Sequence, residues 1–337
     1  METEVLKPSI ETLKKAAELI KNGEVVGIPT ETVYGLAANA YDSDACAKIF
    51  RAKGRPQDNP LIIHISSLTM LENSVREIPP LALTLADNFW SGPLTMIFPK
   101  KAIVPDTTSG GLDTVAVRMP DNEDTLNLIE MCGFPLAAPS ANLSGSPSPT
   151  SANHVFQDMN GRIPLIIDGG ECETGVESTV ICFTSDGKGV KILRPGAVTE
   201  EMLSRFCLVE TDKNVYAKPM ENERVISPGV KYKHYSPKAK IIIVETDDDK
   251  AFADFLNSRC EENEYGVIFG DEKDINIKTL SYGKTAEEQA HNLFAILRRT
   301  DELGAKTAYV RCPEKKGVGT AVYNRLLRAA AFNVIRI

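Results

Sequence analysis

Apolar positions recur along this chain at two spacings, and their arrangement changes character near residue 239. Ile10, Leu13, Ala16, Ala17 and Ile20 sit three to four apart and predict a helix over 9–22 that Gly23 ends. Short apolar runs at 25–28, 61–65, 94–98, 114–118, 135–138, 165–168, 178–183 and 190–193 predict strands. Between them, helices are expected from Asp42 or Ser43 to about Arg51, at 68–74, 80–89 and 122–132, and behind the caps Ser151 and Thr199. Strands and helices mix without strict alternation, which predicts an α+β domain built on a twisted mixed sheet.

Periodicity is lost over 208–238, which reads as a linker rich in hydrogen-bonding aromatics. Regular alternation then begins: a strand at 240–245, a helix at 248–260, a strand at 266–269, a helix from Thr285 to about Leu303, a strand at 307–310 and a last helix near Thr320. That order predicts a smaller three-layer α/β, Rossmann-like domain with a largely parallel sheet. The expected organisation is a catalytic domain at 1–207, a linker or lid at 208–238 and an α/β domain at 239–337.

Composition narrows the function classes. Of the 337 residues, 42% are apolar and 25% charged, as in ordinary globular proteins. A net charge of −8 argues against strong, stable nucleic-acid binding, which needs a basic face. The seven cysteines include no Cys-x-x-Cys pair, so zinc and dithiol redox spacings are absent and a reduced setting is expected. Met1-Glu2-Thr3-Glu4 is acidic with no apolar run behind it, unlike a signal peptide. No stretch approaches the roughly 18 apolar residues of a membrane span. A cytoplasmic protein is the expectation.

Two polar stretches carry candidate chemistry. Lys53-Gly54-Arg55-Pro56 sets two cations two residues apart, and Ser140-Ala141-Asn142 sets a hydroxyl and an amide likewise. In an extended segment such pairs point the same way, so each could aim at one spot and suit a polyanion such as a nucleotide triphosphate. Read singly, the same residues fit solvated charges after a helix and a turn. Arg118 and Arg194 end strands, where a surface ion pair is the common outcome. His64 lies in an apolar strand and reads first as a satisfied core residue. Thr30 and Thr32 flank Glu31 and fit turn hydroxyls, and Ser178 fits a strand edge. Gly317-Val318-Gly319-Thr320 reads as a helix-cap turn. A P-loop, a Gly-x-Ser-x-Gly elbow and a His-Glu-x-x-His helix are all absent from the sequence.

Read together, the pieces say more. Pro-Thr-Glu-Thr-x-Tyr-Gly-Leu, Lys-Gly-Arg-Pro-x-x-Asn-Pro-Leu, Ala-x-Arg-x-Pro, Ala-Pro-Ser-Ala-Asn-x-Ser-Gly, Glu-Ser-Thr-Val and Leu-Arg-Pro-Gly occur in that order. Together they resemble the YrdC domain. Ser-Pro-Gly-x-Lys-Tyr-x-His-Tyr-Ser-Pro, followed by an α/β domain, resembles the two-domain L-threonylcarbamoyladenylate synthases. The resemblance covers nearly the whole chain, more loosely in the last domain. It implies a twisted α/β sheet with a positively lined cavity, which the linker and second domain close. It also implies a reaction: L-threonine, bicarbonate and ATP with Mg2+ give L-threonylcarbamoyl-AMP and pyrophosphate. The product would pass to a tRNA threonylcarbamoyl transferase that modifies an anticodon-loop adenosine.

By the same resemblance Lys53, Arg55, Ser140 and Asn142 belong at the reacting centre. Arg55, Asn59, Thr114, Ser140, Ser148, Arg194 and Tyr235 map to nucleotide contacts, and Thr32, His64, Arg118, Ala138 and Ser178 to threonine contacts. No protein metal ligand is implied. Three rival readings are an RNA-binding module, a carbamoyl-phosphate-using maturation enzyme and a regulatory ATP-binding protein. The acidic balance opposes the first, the missing zinc-finger cysteine spacing opposes the second, and dependence on bicarbonate separates the third.

Overall fold

The computed structural model describes residues 2–217, 234–259 and 261–337. The stretch 227–233 of the linker motif lies outside the described residues. Two compact units emerge: residues 2–144 with 148–217, and residues 145–147 with 234–337.

The first unit runs, in chain order, β1 (Glu4–Leu6), α1 (Ile10–Lys21), β2 (Val26–Ile28), β3 (Gly35–Asn39), α2 (Ser43–Lys53), β4 (Ile62–His64), α3 (Leu68–Ser74), α4 (Pro80–Phe89), β5 (Leu94–Pro99), α5 (Asp106–Ser109), β6 (Thr114–Arg118), α6 (Glu123–Cys132), β7 (Leu136–Ala137), α7 (Ala152–Met159), β8 (Leu165–Ile167), β9 (Thr179–Phe183), β10 (Gly189–Arg194), α8 (Glu200–Leu203) and β11 (Leu208–Thr211). Local chemistry sets the helix ends. Ser9 caps α1 by accepting from the Thr12 amide, and Asp42 caps α2 through the amides of Asp44 and Ala45. Gly54 closes α2 in the left-handed region at φ 62°.

Among the described residues the strands form one mixed sheet in the order β1-β8-β2-β3-β7-β4-β6-β5-β9-β10-β11. Its two faces are apolar in different ways. One face carries Leu36, Ala38, Ile63, Val117, Met96, Ile181 and Ile192 into a large core with Ile49 and Phe50 of α2 and Leu85 of α4. The other carries Val26, Ile28, Leu136 and Leu165 against Leu13, Ala17 and Ile20 of α1 and Leu128 and Ile129 of α6. Farther along that second face, Ile62, Ala116, Ile97, Val180 and Leu193 form a separate small apolar patch.

Three strands go beyond the sequence reading. β1 is too short to show a period, β3 is made largely of small residues, and β11 lies in the stretch expected to be irregular. Parallel pairing with β10 organises β11, a long-range term that local periodicity does not carry.

The second unit contains β12 (Lys240–Glu245), α9 (Asp249–Asn257), β13 (Glu264–Ile268), β14 (Lys278–Ser281), α10 (Ala286–Glu302), β15 (Thr307–Arg311), α11 (Val318–Ala329) and β16 (Val334–Arg336). Its strands are all parallel, in the order β14-β13-β15-β12-β16. Ile242 and Val244 pack with Phe252 and Leu256 of α9, while Ile241 and Ile243 are buried on the opposite face. A sheet buried on both faces between helices is the expected three-layer α/β arrangement. The outer strands β14 and β16 were not expected. No helix among the described residues is long and apolar enough to cross a membrane.

Candidate active site

Strand register lines up a row of polar side chains on the second face of the large sheet. His64 pairs with Arg118, Arg118 with Thr95, and Thr95 with Val180. Directly paired residues share a face, and so do residues two apart on one strand. His64 is therefore on the face of Ile62, Arg118 on that of Ala116, Thr95 on that of Ile97, and Ser178 on that of Val180. These four apolar residues belong to the small patch, so the polar row stands at the margin of an apolar floor. Thr114 shares the face at the other end of β6. Ala138 joins the same side beyond β7, its amide donating to the Ile62 carbonyl at 2.9 Å.

Arg194 reaches this face by an irregularity. Simple alternation would place it with Ile192, which faces the large core. The register shifts between Ile192 and Arg194, so Arg194 sits opposite Val180. Its Nε then donates to the Ser178 carbonyl and its Nη2 to Ser178 Oγ, both at 3.0 Å. Ser178 Oγ is also 2.8 Å from Thr95 Oγ1.

Arg118 is 4% exposed, and its guanidinium is held on three sides. Nη1 donates to Thr32 Oγ1 at 2.9 Å and Nε to the Gly92 carbonyl at 3.2 Å. Nη2 lies 2.5 Å from Glu31 Oε1. Thr30 Oγ1 lies 2.9 Å from Thr32 Oγ1 and donates to the Val33 carbonyl at 2.6 Å, which fixes the turn that presents Glu31 and Thr32. His64 is buried, and desolvation followed by the Arg118 charge pushes its pKa down to about 3. The imidazole is therefore neutral at physiological pH, and its Nδ1 has no hydrogen-bond partner among the described residues.

A second cluster gathers around the end of α2. Lys53 is 3% exposed, and its ammonium donates to the carbonyls of Ser140 and Asn142, the latter at 2.7 Å. Ser140 Oγ donates to Asn142 Oδ1 at 2.6 Å, so the hydroxyl and amide do converge. The extended geometry expected for 53–55 is not found: Lys53 is the last helical residue and Gly54 is left-handed. Lys53 consequently braces the Ser140–Asn142 turn, while Arg55 Nη2 donates to the carbonyls of Asn59 at 3.3 Å and Pro60 at 3.0 Å. A third contact joins Ser148 Oγ to Glu177 Oε1 at 2.5 Å, both residues buried.

Tyr235 belongs to the second unit, where it is buried with its ring 5.2 Å from that of Phe294. Its φ of 62° is a left-handed backbone that costs a tyrosine on the order of 1 kcal/mol or more.

The sequence reading did not single out Glu31, Thr95, Glu177 or Cys172 as site residues. Thr95 had a usable signal, being the polar residue in an otherwise apolar strand. Glu31 stood inside the Thr30–Thr32 motif. Glu177 headed the Glu-Ser-Thr-Val motif, but its buried contact with Ser148 had no local signal, and neither did the approach of Cys172 to Glu31 and Arg118.

Comparison with known proteins identifies the family. Residues 18–196 match the Sua5/YciO/YrdC family model, described as "Telomere recombination". Residues 198–331 match the model described as "Threonylcarbamoyl-AMP synthase, C-terminal domain". The chain is 46% identical over 330 residues to the threonylcarbamoyl-AMP synthase of Pyrococcus abyssi, covering 96% of each. It is 42% identical over 343 residues to that of Bacillus subtilis, covering 99% of this chain and 97% of the relative. The crystal structure of P. abyssi Sua5 complexed with L-threonine aligns with a TM-score of 0.92 at 44% identity, covering 100% of both chains.

Proposed function

Because this chain belongs to the Sua5/YrdC family and is an enzyme of its threonylcarbamoyl-AMP synthase branch, we propose that it condenses L-threonine, bicarbonate and MgATP into L-threonylcarbamoyl-AMP and pyrophosphate. The observation that carries the reading is Arg118: a buried guanidinium at a strand end, flanked by the Thr32 hydroxyl and standing over an apolar floor. A guanidinium pairs in fork geometry with a carboxylate, which suits the carboxylate of an amino acid. The P. abyssi relative crystallised with L-threonine supports the same ligand here.

The chain's own groups then have distinct tasks. Arg118 holds the threonine carboxylate, and the neutral His64 offers a ring nitrogen to the side-chain hydroxyl. Ile62 and Ala116 give the methyl group an apolar neighbour. One methyl supplies only about 1–3 kcal/mol, so L-serine is expected to be a poorer substrate, not an excluded one. The amine attacks the bicarbonate carbon to form a carbamate, whose oxygen then attacks the α-phosphorus while pyrophosphate leaves. Both partners in that second step are anions, so their approach is the main electrostatic cost. Arg55 and Arg194 lower it, and Ser140 and Asn142 orient the phosphates from the turn that Lys53 braces. Mg2+ enters as part of the nucleotide substrate. The product is a labile mixed anhydride suited to immediate transfer to tRNA, in keeping with the family's role in threonylcarbamoyladenosine modification.

Incubation with MgATP, bicarbonate and L-threonine, followed by mass spectrometry, tests the reading. The adduct should appear together with pyrophosphate, and both should vanish when bicarbonate is omitted. Nucleotide turnover with no adduct would overturn it.

A further inference from the structure

Glu31 is a buried carboxylate with an unusual surrounding. It is 8% exposed, and Oε1 lies 2.5 Å from Arg118 Nη2. Yet among the described residues neither Glu31 oxygen accepts a hydrogen bond, and Nη2 donates none. The pair meets as two charges in contact, without the directed fork that makes such pairs strong. The directed bonds of Arg118 go to Thr32 and Gly92 instead. A buried carboxylate left without hydrogen bonds costs stability, so the arrangement calls for an explanation.

The proposed substrate supplies one. An α-amino acid carries its carboxylate and ammonium on a single carbon. A guanidinium and a carboxylate side by side match those two charges in reverse. We propose that Glu31 receives the ammonium of threonine and takes the proton that the amine must lose, while Arg118 holds the carboxylate. This rests on the activity proposed above. The ammonium gives one N–H proton to Glu31, and the freed lone pair forms the C–N bond to bicarbonate. The C–OH bond of bicarbonate breaks, and the departing hydroxide takes a second N–H proton to leave as water. Ammonium, bicarbonate and carboxylate become carbamate, water and carboxylic acid, with charge conserved. The acid afterwards returns its proton to solvent.

Other titratable groups nearby do not fill this role. Burial pushes the Cys172 thiol up to about 12, with Glu31 itself adding to the rise. His64 faces Arg118 from β4 and, held neutral with a pKa of about 3, carries no negative charge to receive an ammonium. Glu171, adjacent to Cys172, is exposed. Arg118 is the facing cation from β6.

The test uses the full chain with Glu31→Gln, which keeps the volume, and Glu31→Asp, which keeps the charge. Adduct formation is followed against pH, with threonine affinity measured by calorimetry. Glu31→Gln should lower the rate at neutral pH by about 100-fold, the scale of one proton acceptor. The loss should shrink by about tenfold or more towards pH ~9.5, because more threonine then arrives as free amine. Glu31→Asp should lose less and keep the wild-type pH profile. A rate for Glu31→Gln within about threefold of wild type overturns the proposal, as does a loss equal at every pH. An Asp variant that follows the Gln profile overturns it too. If the wild-type protein forms no adduct, the proposed activity falls and this role with it. If it does and Glu31→Gln matches it, only the role of Glu31 falls.

Discussion

His64 stands paired with Arg118 across two parallel strands, buried and kept neutral. Its state carries a stability consequence with a definite sign. An unfolded histidine takes up a proton below about pH 6.5, whereas the folded one resists until about pH 3. Between those values the unfolded chain binds more protons, so stability falls as the pH falls. The full effect is on the order of a few kcal/mol, developed across that window and absent above it. His64→Gln removes the titration, so its stability should decline less steeply than wild type between pH 6.5 and the acid limit. Parallel acid-unfolding curves for the two proteins would show that His64 is not the group responsible. The same residue illustrates the limit of a local reading. A lone histidine in an apolar strand looks like core, and burial alone agrees; only the facing arginine reveals it as part of a polar row.

Two elements shape the site by departing from regularity. The bulge before Arg194 turns a side chain that alternation would send into the large core onto the face of Ser178. Just beyond it, Gly196 passes so close to the neighbouring chain that an added Cβ would lie 2.4 Å from the Thr179 amide nitrogen. The obstacle is backbone, which cannot swing aside as a side chain could. Gly196→Ala should therefore destabilise the protein by about 1–3 kcal/mol, as overpacking does, and disturb the Arg194–Ser178 contact. Thermal unfolding measures the first effect, and an unchanged melting temperature would mean that the loop yields. The end of α2 makes a similar point. Gly54 could be read from the sequence as a helix stop, but not that the stop would send Lys53 to the Ser140–Asn142 carbonyls and Arg55 to those of Asn59 and Pro60.

At the scale of the whole molecule, the two units differ in construction. The second unit is a parallel sheet covered on both faces, and it holds Tyr235 in a left-handed conformation against Phe294, with the Arg325 guanidinium 5.9 Å from the ring centroid. A strained, buried tyrosine is held by its surroundings and not by its own backbone preference. The family resemblance implies a nucleotide contact for this tyrosine, and we propose that it also helps keep water from the labile carbamate. Tyr235→Ala should thus raise the ATP consumed per adduct formed several-fold, and it should also lower the melting temperature, since a buried ring packed on Phe294 is removed. Unaltered coupling would count against a role in shielding the intermediate.

The order of motifs, the helix caps, most strands of the first unit and the alternation of the second were legible in the chain itself. Each depends on near neighbours: a cap and its amides, a period of two, a glycine after a helix. Which cations meet which carbonyls, the turning of Arg194, the pairing of β11 and the burial of Glu31 against Arg118 were settled only in three dimensions. These are contacts between residues far apart in sequence, set by strand register and bulges, and local propensity carries no term for either.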